Sequence, residues 1–534
     1  MKYIRNSQPT MSSQLNTFLN KREWQVSFIA ATVMLLYIRT LSFDFIGLDE
    51  QSLLIEKRVF NKELSNIPKT FKQHVFEVKH RESAANANKY YRPLLSVSFI
   101  LDEQFSKEDF SFYRFTNILI HIFAAIGLLF VLNQLKIPGA LAFFFSLLFA
   151  VHPLLVQAVA WIPGRNDSMV CVFILWSFYF LIKPGKRSTL LHLLLFALSL
   201  FTKENAIVFA GICVFYILAI QKNNFSLKNR ITLFSSYVII LLLWFVARSN
   251  AVGESFNASE NTAGSLYRSF LNSAPMLFQY FQKTILPVNL SVMSVVSDTN
   301  YGWVLLAFGL FGAAIYFTKN IAWAEIIFGL LWFFLFFLPT LLFSYFEGME
   351  HRSYLPMIGL LIAFAHTEPV MDLANNTKKL SLIFGTVILI FGAITFTRIP
   401  AFANELSYWK NAFYSSEHSA VVCRDYGVIL TKTGNYEKAE VAYLEGIKRN
   451  PREILIHYNL GVLYLNAKRF EQAEDHLLQE LGLDSIANPM TYHVLGVIYK
   501  QTGRMEQAAG MWEKALRVKP GFEPSMNELK MAND

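Results

Sequence analysis

The sequence is organised around the stretch FDFIGLDEQSLL (residues 43–54), which directly follows the apolar run WQVSFIAATVMLLYI (residues 24–38). With its flanks, the apolar run is long enough to span a bilayer. It has no small-residue cleavage site, so we expect an uncleaved first transmembrane helix. The chain then presents Asp49 and Glu50 side by side near a membrane surface, where carboxylates lose solvation and repel each other. Such a pair suits a general base, a metal site or a solvated loop.

Composition indicates that most of the chain lies in a membrane. Of its 534 residues, 54% are hydrophobic and 16% are charged, whereas soluble domains carry about 25% charged residues. The net charge of +9 does not indicate nucleic acid, because lysine and arginine collect in the connections predicted to be cytoplasmic. The three cysteines have no metal-binding spacing. The composition therefore predicts a polytopic membrane protein with no nucleic-acid partner.

Apolar runs predict about eleven transmembrane helices. They cover residues 24–38, 112–132, 139–159, 168–182, 189–201, 206–220, 231–247, 303–317, 325–346, 354–366 and 380–396. The amphipathic segment 265–287 is predicted to lie at the membrane interface. Leaving it out of the count puts the basic connections consistently on the inner side. This topology puts Asp49, Lys203 and Glu350 on the outer side.

The predicted domains follow from these spans. A membrane domain covers residues 1–400 and includes a first outer loop at residues 44–111. The loop is too long for a simple connector, so short helices on the membrane surface are expected there. A linker at residues 401–419 leads to a soluble domain at residues 420–534.

The soluble domain is a sequence repeat. Gly427, Gly461 and Gly496 lie 34 and 35 residues apart within RDYGVILTKTGNYEKAE, YNLGVLYLNAKRFEQAE and HVLGVIYKQTGRMEQAA. This period and pattern are typical of tetratricopeptide repeats, each of which is a helix pair. Three repeats are about the minimum for a stable stack, and residues 524–530 are predicted to form a capping helix. The predicted fold class is therefore all-α, with a polytopic membrane domain and a C-terminal α-solenoid.

Further polar groups fall on the predicted outer side. They are Arg92 in the first loop, then His152, Arg165 and Asp167, then Lys203 and Glu204, and finally Glu350, His351 and Arg352. Taken singly, each group also suits a capped helix, a snorkelling arginine, an ion pair or a charged turn. Together, an acidic pair and several cations on one face suit a donor linked to a lipid phosphate. Cations would hold the phosphate leaving group, and a carboxylate would take the proton of the acceptor.

These motifs resemble the transmembrane-and-tetratricopeptide-repeat O-mannosyltransferases. The resemblance rests on YYRPL (residues 90–94), VHPLLVQAVAWIPGRND (151–167), KE (203–204), EHRSYLPMIG (350–359) and the repeat tail. It implies a GT-C-type membrane fold, a polyprenyl-phosphate sugar donor and a catalytic acidic pair after the first span. This chain departs from the animal members at Gln157, where they have an acid, in its Glu-His-Arg motif, where they have Glu-Arg, and in its smaller number of repeats.

The charge arrangement and the resemblance together predict a membrane glycosyltransferase. It would move a sugar, with mannose as the first candidate, from a polyprenyl phosphate to Ser or Thr hydroxyls of proteins, with inversion. Asp49 is the predicted base, assisted by Glu50. The predicted phosphate ligands are Arg92, His152, Arg165, Lys203, His351 and Arg352, and the predicted supporting residues are Asp167, Glu204 and Glu350. No resident cofactor is predicted, and a divalent metal is left open, since no third carboxylate stands near the pair in sequence.

Two other functions stay open from the sequence. A transporter of lipid-linked sugar would carry its charges within the spans, near the midplane. A membrane-anchored scaffold would work through its repeats alone. The predicted partners are the lipid-linked sugar, membrane lipids and an acceptor protein recruited by the repeats. The short tail and the Glu-His-Arg motif favour a bacterial inner membrane, with the active site and the repeats in the periplasm. In a eukaryote they would face the lumen of the endoplasmic reticulum.

Overall fold

The computed structural model describes residues 21–77, 90–106, 109–222, 225–253, 263–342, 347–483 and 488–533. Part of the predicted first outer loop, at residues 78–89 and 107–108, lies outside the described residues. The chain divides into two compact units. The first comprises Met1–Val292 and Thr299–Glu405, and the second comprises Met293–Asp298 and Leu406–Asp534. The junction at Glu405 falls within the predicted linker.

The first unit is built from helices. Its α-helices are Arg22–Tyr37, Arg58–Asn61, Ile67–Thr70, Pro93–Glu103, Ser111–Gln134, Gly139–Ala150, Val156–Ala160, Arg165–Ile182, Lys186–Thr202, Val208–Phe215, Leu227–Val252, Ala263–Ile285, Tyr301–Tyr316, Trp323–Leu342, Pro356–Ala365, Glu368–Met371 and Thr377–Arg398. Shorter 3-10 and π turns are Ile38–Ser42, Gln51–Ile55, Leu64–Asn66, Pro153–Leu155, Ile162–Gly164, Glu204–Ile207, Tyr216–Ile220, Glu350–Ser353, Asp372–Asn375 and Ile399–Phe402. A two-residue strand lies at Glu347–Gly348.

Several of these helices could cross a membrane, and the chain is an integral membrane protein. Six helices among the described residues are long and apolar enough: Arg22–Ser42, Ser111–Gln134, Ile162–Ile182, Leu227–Val252, Trp323–Leu342 and Thr377–Phe402. Two bent pairs, with bends of 47° and 79°, raise the number to eight if each pair is one span. The predicted number of about eleven stays a prediction. The segment predicted to be interfacial forms the helix Ala263–Ile285 and is not one of these candidates.

Close helix packing in the first unit depends on a pair of glycines. The helices Trp323–Leu342 and Pro356–Ala365 pack side by side. A Cβ atom added at Gly329 would overlap the carbonyl oxygen of Gly359, and one added at Gly359 would overlap that of Gly329. Small residues let two membrane helices approach until their backbones touch, which gains van der Waals contact that lipid cannot supply. This helix pair leads into the turn Glu350–Ser353, which carries part of the candidate site.

The second unit contains the repeats. Its first helix is Glu405–Ser415, of which all but the first residue belongs to this unit. The other helices are Ala420–Lys432, Tyr436–Arg449, Ile456–Asn466, Phe470–Leu483, Pro489–Gln501, Met505–Val518 and Glu523–Asn533. It also contains the strand Ser294–Val295 and the 3-10 turn Val296–Asp298. The all-α fold class, with a tetratricopeptide-type C-terminal part, is confirmed.

The repeat glycines are explained by what faces them. A Cβ atom at Gly461 would lie 2.7 Å from Cγ of Leu477, the side chain that fills the space between the two helices of the second repeat. At Gly427 and Gly496, Cβ atoms would overlap the rings of Tyr443 and Trp512. Each repeat therefore pairs a glycine on its first helix with a large side chain on its second. The last helix, Glu523–Asn533, packs against the third repeat.

Candidate functional site

Asp49 is presented by a strained turn that follows the first helix. Gly47 has φ of 85° and Leu48 has φ of 53°. Positive φ is uncommon for a residue with a side chain; it costs about 1–3 kcal/mol and persists only where the surrounding structure enforces it. The amides of Glu50 and Gln51 donate to the carbonyls of Gly47 and Leu48, over 3.1 Å in both cases. The next residues continue as helical turns, so Asp49 stands at the start of a short helical segment.

Glu50 points inward and holds this turn. Its side chain is fully buried. One carboxylate oxygen accepts from the amide of Ile46 over 2.8 Å, and the other accepts from the amide of Ile162 over 3.3 Å. Burial raises the pKa of Glu50 to about 7, against the opposing charge of Arg114 and these two amide bonds. Glu50 is therefore a tie between the turn and the segment around Ile162.

Arg114 completes the tie with the opposite polarity. It lies in the helix Ser111–Gln134 and is fully buried. Its guanidinium donates to the carbonyl of Asp44 over 2.5 Å and also to the carbonyl of Ala160. Glu50 therefore accepts hydrogen bonds from two amides, and Arg114 donates to two carbonyls. In each pair, one group lies in residues 44–46 and the other in residues 160–162. A buried acidic side chain and a buried basic one thus hold the turn against the 160–162 segment, and Asp49 faces outward.

Asp49 is exposed to solvent, and neighbouring protein atoms partly desolvate its carboxyl. This desolvation raises the pKa of its carboxyl, and the nearby charges of Arg92 and Arg352 act in the opposite direction. A solvent-exposed carboxylate with a raised pKa and two neighbouring cations is the kind of group that can accept a proton from a substrate.

Arg92, from a later part of the first outer loop, lies close enough to Asp49 for its charge to act on that carboxyl. It precedes Pro93, the first residue of the helix Pro93–Glu103. Its guanidinium forms a two-pronged ion pair with Glu204, through Nε over 3.0 Å and Nη2 over 3.3 Å. It also lies 4.2 Å from the centre of the Tyr90 ring. These contacts hold the planar charge in one orientation.

Lys203, Asp167 and His351 form the next part of the cluster. The ammonium of Lys203 donates to both oxygens of Asp167, over 2.7 and 2.8 Å. Nε2 of His351 lies 3.7 Å from the same carboxylate. Burial, followed by the charges of Lys203, Arg352 and Arg92, lowers the pKa of His351 well below its usual value. His351 is therefore neutral at physiological pH, and the cluster balances lysine against aspartate.

Glu350 belongs to a second, buried network behind Arg352. One carboxylate oxygen accepts from Lys283 over 3.3 Å and from the amide of Ser291 over 2.7 Å. The other accepts from Nη2 of Arg398 over 2.7 Å. Glu350 thus fixes the turn Glu350–Ser353 from the inside. Sequence reasoning missed Lys283 and Arg398, although a charged residue in a mainly apolar region is itself a signal.

The structure does not place Arg165 with the other cations. Arg165 is fully buried and donates to Asn117 over 2.7 Å, to Asp102 over 2.5 Å and to the carbonyl of Tyr113 over 2.6 Å. A fourth bond joins it to Ser98 over 3.2 Å. These partners come from two other helices. We therefore correct the assignment of Arg165 as a phosphate ligand: it ties helices together.

His152 is corrected for the same reason. Its Nε2 donates to the carbonyl of Thr284 over 3.0 Å, and its Nδ1 accepts from the amide of Leu154 over 3.2 Å. The ring is buried and both nitrogens are used, so it caps the turn Pro153–Leu155. The structure thus brings together Asp49, Arg92, Asp167, Lys203, Glu204, His351 and Arg352, with Glu50 and Glu350 as buried supports. It leaves out Arg165 and His152.

Within the described ranges, no group of three or more His, Cys, Asp or Glu side chains is arranged to hold a metal ion.

Known proteins are similar both to the C-terminal repeats and to most of the whole chain. Tetratricopeptide-repeat family models match residues 442–475, 425–453 and 491–522. The chain is 24% identical over 517 residues to protein O-mannosyl-transferase TMTC3 of Homo sapiens, covering 83% of this chain and 55% of that protein. It is 23% identical over 544 residues to protein O-mannosyl-transferase Tmtc3 of Drosophila melanogaster, covering 82% and 58% respectively. The chain therefore spans little more than half the length of these curated relatives.

The solved structures that the chain matches include repeat proteins. The crystal structure of MamA is 19% identical and covers 24% of this chain and 74% of that chain, with a TM-score of 0.23. The resemblance of the motifs is confirmed in part, because the relatives that are similar to most of this chain are named protein O-mannosyl-transferases.

Proposed function

We propose that this chain is a membrane glycosyltransferase that transfers a sugar to Ser or Thr hydroxyls of proteins. One observation carries the proposal. The exposed carboxylate of Asp49 lies beside Arg92 and Arg352, on a turn that buried Glu50 holds in place. The similarity to protein O-mannosyl-transferases over 83% of the chain supports the same reaction class.

The proposed reaction needs a base and a stabilised leaving group. A Ser or Thr hydroxyl is a weak nucleophile, so its proton must leave as its oxygen attacks the anomeric carbon. Asp49 accepts that proton. The bond between the anomeric carbon and the phosphate oxygen breaks on the opposite side, which inverts the configuration and releases the lipid phosphate. Burial raises the pKa of Asp49, which makes its carboxylate a stronger base.

The proposed donor is a sugar on a polyprenyl phosphate, with mannose as the first candidate. Arg352 and Arg92 are the proposed ligands of its phosphate, because their charges act near Asp49, and the leaving phosphate must lie just across the anomeric carbon from the hydroxyl that Asp49 deprotonates. Lys203 adds a third cation, and neutral His351 adds a hydrogen-bonding ring. Asp167 and Glu204 hold Lys203 and Arg92 in position, so the cations need little reorganisation when a phosphate arrives.

The sidedness and the acceptor are also proposals. We place the site and the repeats on the outer face of the membrane, which is the periplasm if the chain is bacterial. The repeats would recruit the acceptor protein. Repeat stacks present extended surfaces to partners.

The test is a transfer assay with purified full-length protein, mannosyl polyprenyl phosphate and a Ser/Thr-containing peptide. Asp49→Asn keeps the side-chain shape and removes the proton acceptor, so turnover should fall by roughly 10²–10⁴-fold. Asp44→Asn is the matched control, because Asp44 is exposed on the same turn and its side chain contacts the amide of Phe45. Equal turnover in Asp49→Asn and Asp44→Asn would refute the assignment of the base. Absence of transfer by the wild type from this donor would refute the donor.

A further inference from the structure

A single short segment, residues 398–405, contacts both turns that carry the candidate site. At its start, Nη2 of Arg398 donates to Glu350 over 2.7 Å. Glu350 begins the turn Glu350–Ser353, which also carries Arg352. This end of the segment is therefore bonded to the turn that supplies Arg352.

The other end of the segment is bonded to the turn of Asp49. The amide of Asp44 donates to the carbonyl of Ala403 over 2.9 Å, and the amide of Glu405 donates to the carbonyl of Phe45 over 3.1 Å. The Glu405 side chain also covers Gly47, since a Cβ atom there would lie 2.8 Å from its Oε1. A side chain at this position would push Glu405 away, in addition to straining the positive φ.

The segment between these ends is short and firmly packed. Ile399 and Phe402 are fully buried in the 3-10 turn Ile399–Phe402. The amide of Ala403 donates to the carbonyl of Pro400 over 3.1 Å, which continues the compact backbone. A tightly wound stretch of this kind has little slack, so its two ends keep a set separation.

We propose that residues 398–405, here called the brace, are a positioning element that sets the distance between Asp49 and Arg352. The proposal rests on the proposed function, because it concerns the geometry of that reaction. Asp49 and Arg352 lie about three hundred residues apart in the chain, and the brace is bonded to both of their turns. Misplacing reacting groups by about 1 Å can lower a rate by 10²-fold.

The brace also continues into the repeat unit. Glu405 is the first residue of the helix Glu405–Ser415, and the second unit begins at Leu406.

Glu405→Pro tests the brace with little disturbance of the helix. Proline is favoured at the first position of a helix, where its missing amide proton is not needed. Here it removes only the donor to Phe45 and the Glu405 side chain. Glu405→Ala is the matched control, because it loses the side chain and keeps the amide. We expect the kcat of Glu405→Pro to fall about 10- to 100-fold below that of Glu405→Ala.

The pH–rate profile separates positioning from mere loss of structure. The charged groups facing Asp49 are Arg92, Arg352 and Glu50. If Arg352 moves away, its attraction for the ionised carboxylate weakens and the pKa of Asp49 rises. The acidic limb of the profile should therefore shift to higher pH in Glu405→Pro. A smaller kcat with an unshifted acidic limb would show that the contact is only structural and would overturn the proposal.

A second variant acts at the other end of the brace. Arg398→Met removes the bond to Glu350, which keeps Lys283 and the Ser291 amide. It should shift the acidic limb in the same direction, and it decides the matter if Glu405→Pro does not fold. An Arg398→Met protein with a wild-type profile would refute the brace. Wild-type protein that transfers no sugar would instead contradict the proposed function, so the two failures are distinct.

Discussion

Arg165→Ala should damage folding far more than donor binding. The substitution removes four hydrogen bonds, to Asn117, Ser98, Asp102 and the carbonyl of Tyr113. It also leaves Asp102, which is only 4% exposed, without the positive charge that pairs with it. Removing one partner of a buried ion pair costs about 3–5 kcal/mol, since the other charge stays buried. This is a large part of the total stability of a typical protein.

The magnitude can be checked by a double-mutant cycle. Burial raises the pKa of Asp102, and Arg165 opposes this effect. Removing the acid as well, in Asp102→Asn with Arg165→Met, should restore part of the loss, because no unpaired charge remains. Arg165→Met alone should therefore be less stable than the double variant. If the double variant were the less stable one, the two residues would not act as a buried pair.

The assay is the fraction of detergent-solubilised protein that stays monodisperse after heating, together with donor affinity of the folded fraction. Arg187→Ala is the control, because Arg187 is exposed in the helix Lys186–Thr202. Arg165→Ala should melt well below this control and bind donor normally in the fraction that survives. A variant with wild-type melting and lost donor affinity would refute the reasoning and return Arg165 to the phosphate site.

Three further predictions concern stability. Burial raises the pKa of Glu50 from 4.5 to about 7. Proton binding at Glu50 therefore stabilises the folded state fully below pH 4.5, and this stabilisation is lost as the pH rises through about 7. Wild-type melting temperature should fall more than that of Glu50→Gln between pH 5 and 8, and parallel curves would contradict this. Gly359→Val should separate the two helices that meet at Gly329 and lower the melting temperature, unlike Gly309→Ala, which meets open space. Gly496→Val should overlap Trp512 and cost about 1–3 kcal/mol, read as earlier proteolysis of the repeats; wild-type resistance would show that the ring can move.

The two-part, all-α architecture could be predicted from patterns within short windows of the sequence. Hydrophobic spans and a repeat of 34 or 35 residues are local properties, because each helix shows its own apolar face within a short window. The same local patterns placed Asp49 next to the first span and gave the spacing of the repeat glycines. Span ends and the number of spans depend on packing and on the membrane, so local patterns leave them open.

Which charged residues share a site depends on long-range contacts that form when the chain folds. Glu50 and Asp49 are neighbours in the chain, but a backbone turn with positive φ at Gly47 and Leu48 sends one inward and leaves the other exposed. Arg165 looked like a member of the outer cation cluster, but its partners come from helices about fifty residues away in the chain. The brace likewise joins Asp44 to a segment more than three hundred residues later. Burial and pairing of charges are set by what the folded chain brings alongside, and no local window contains that information.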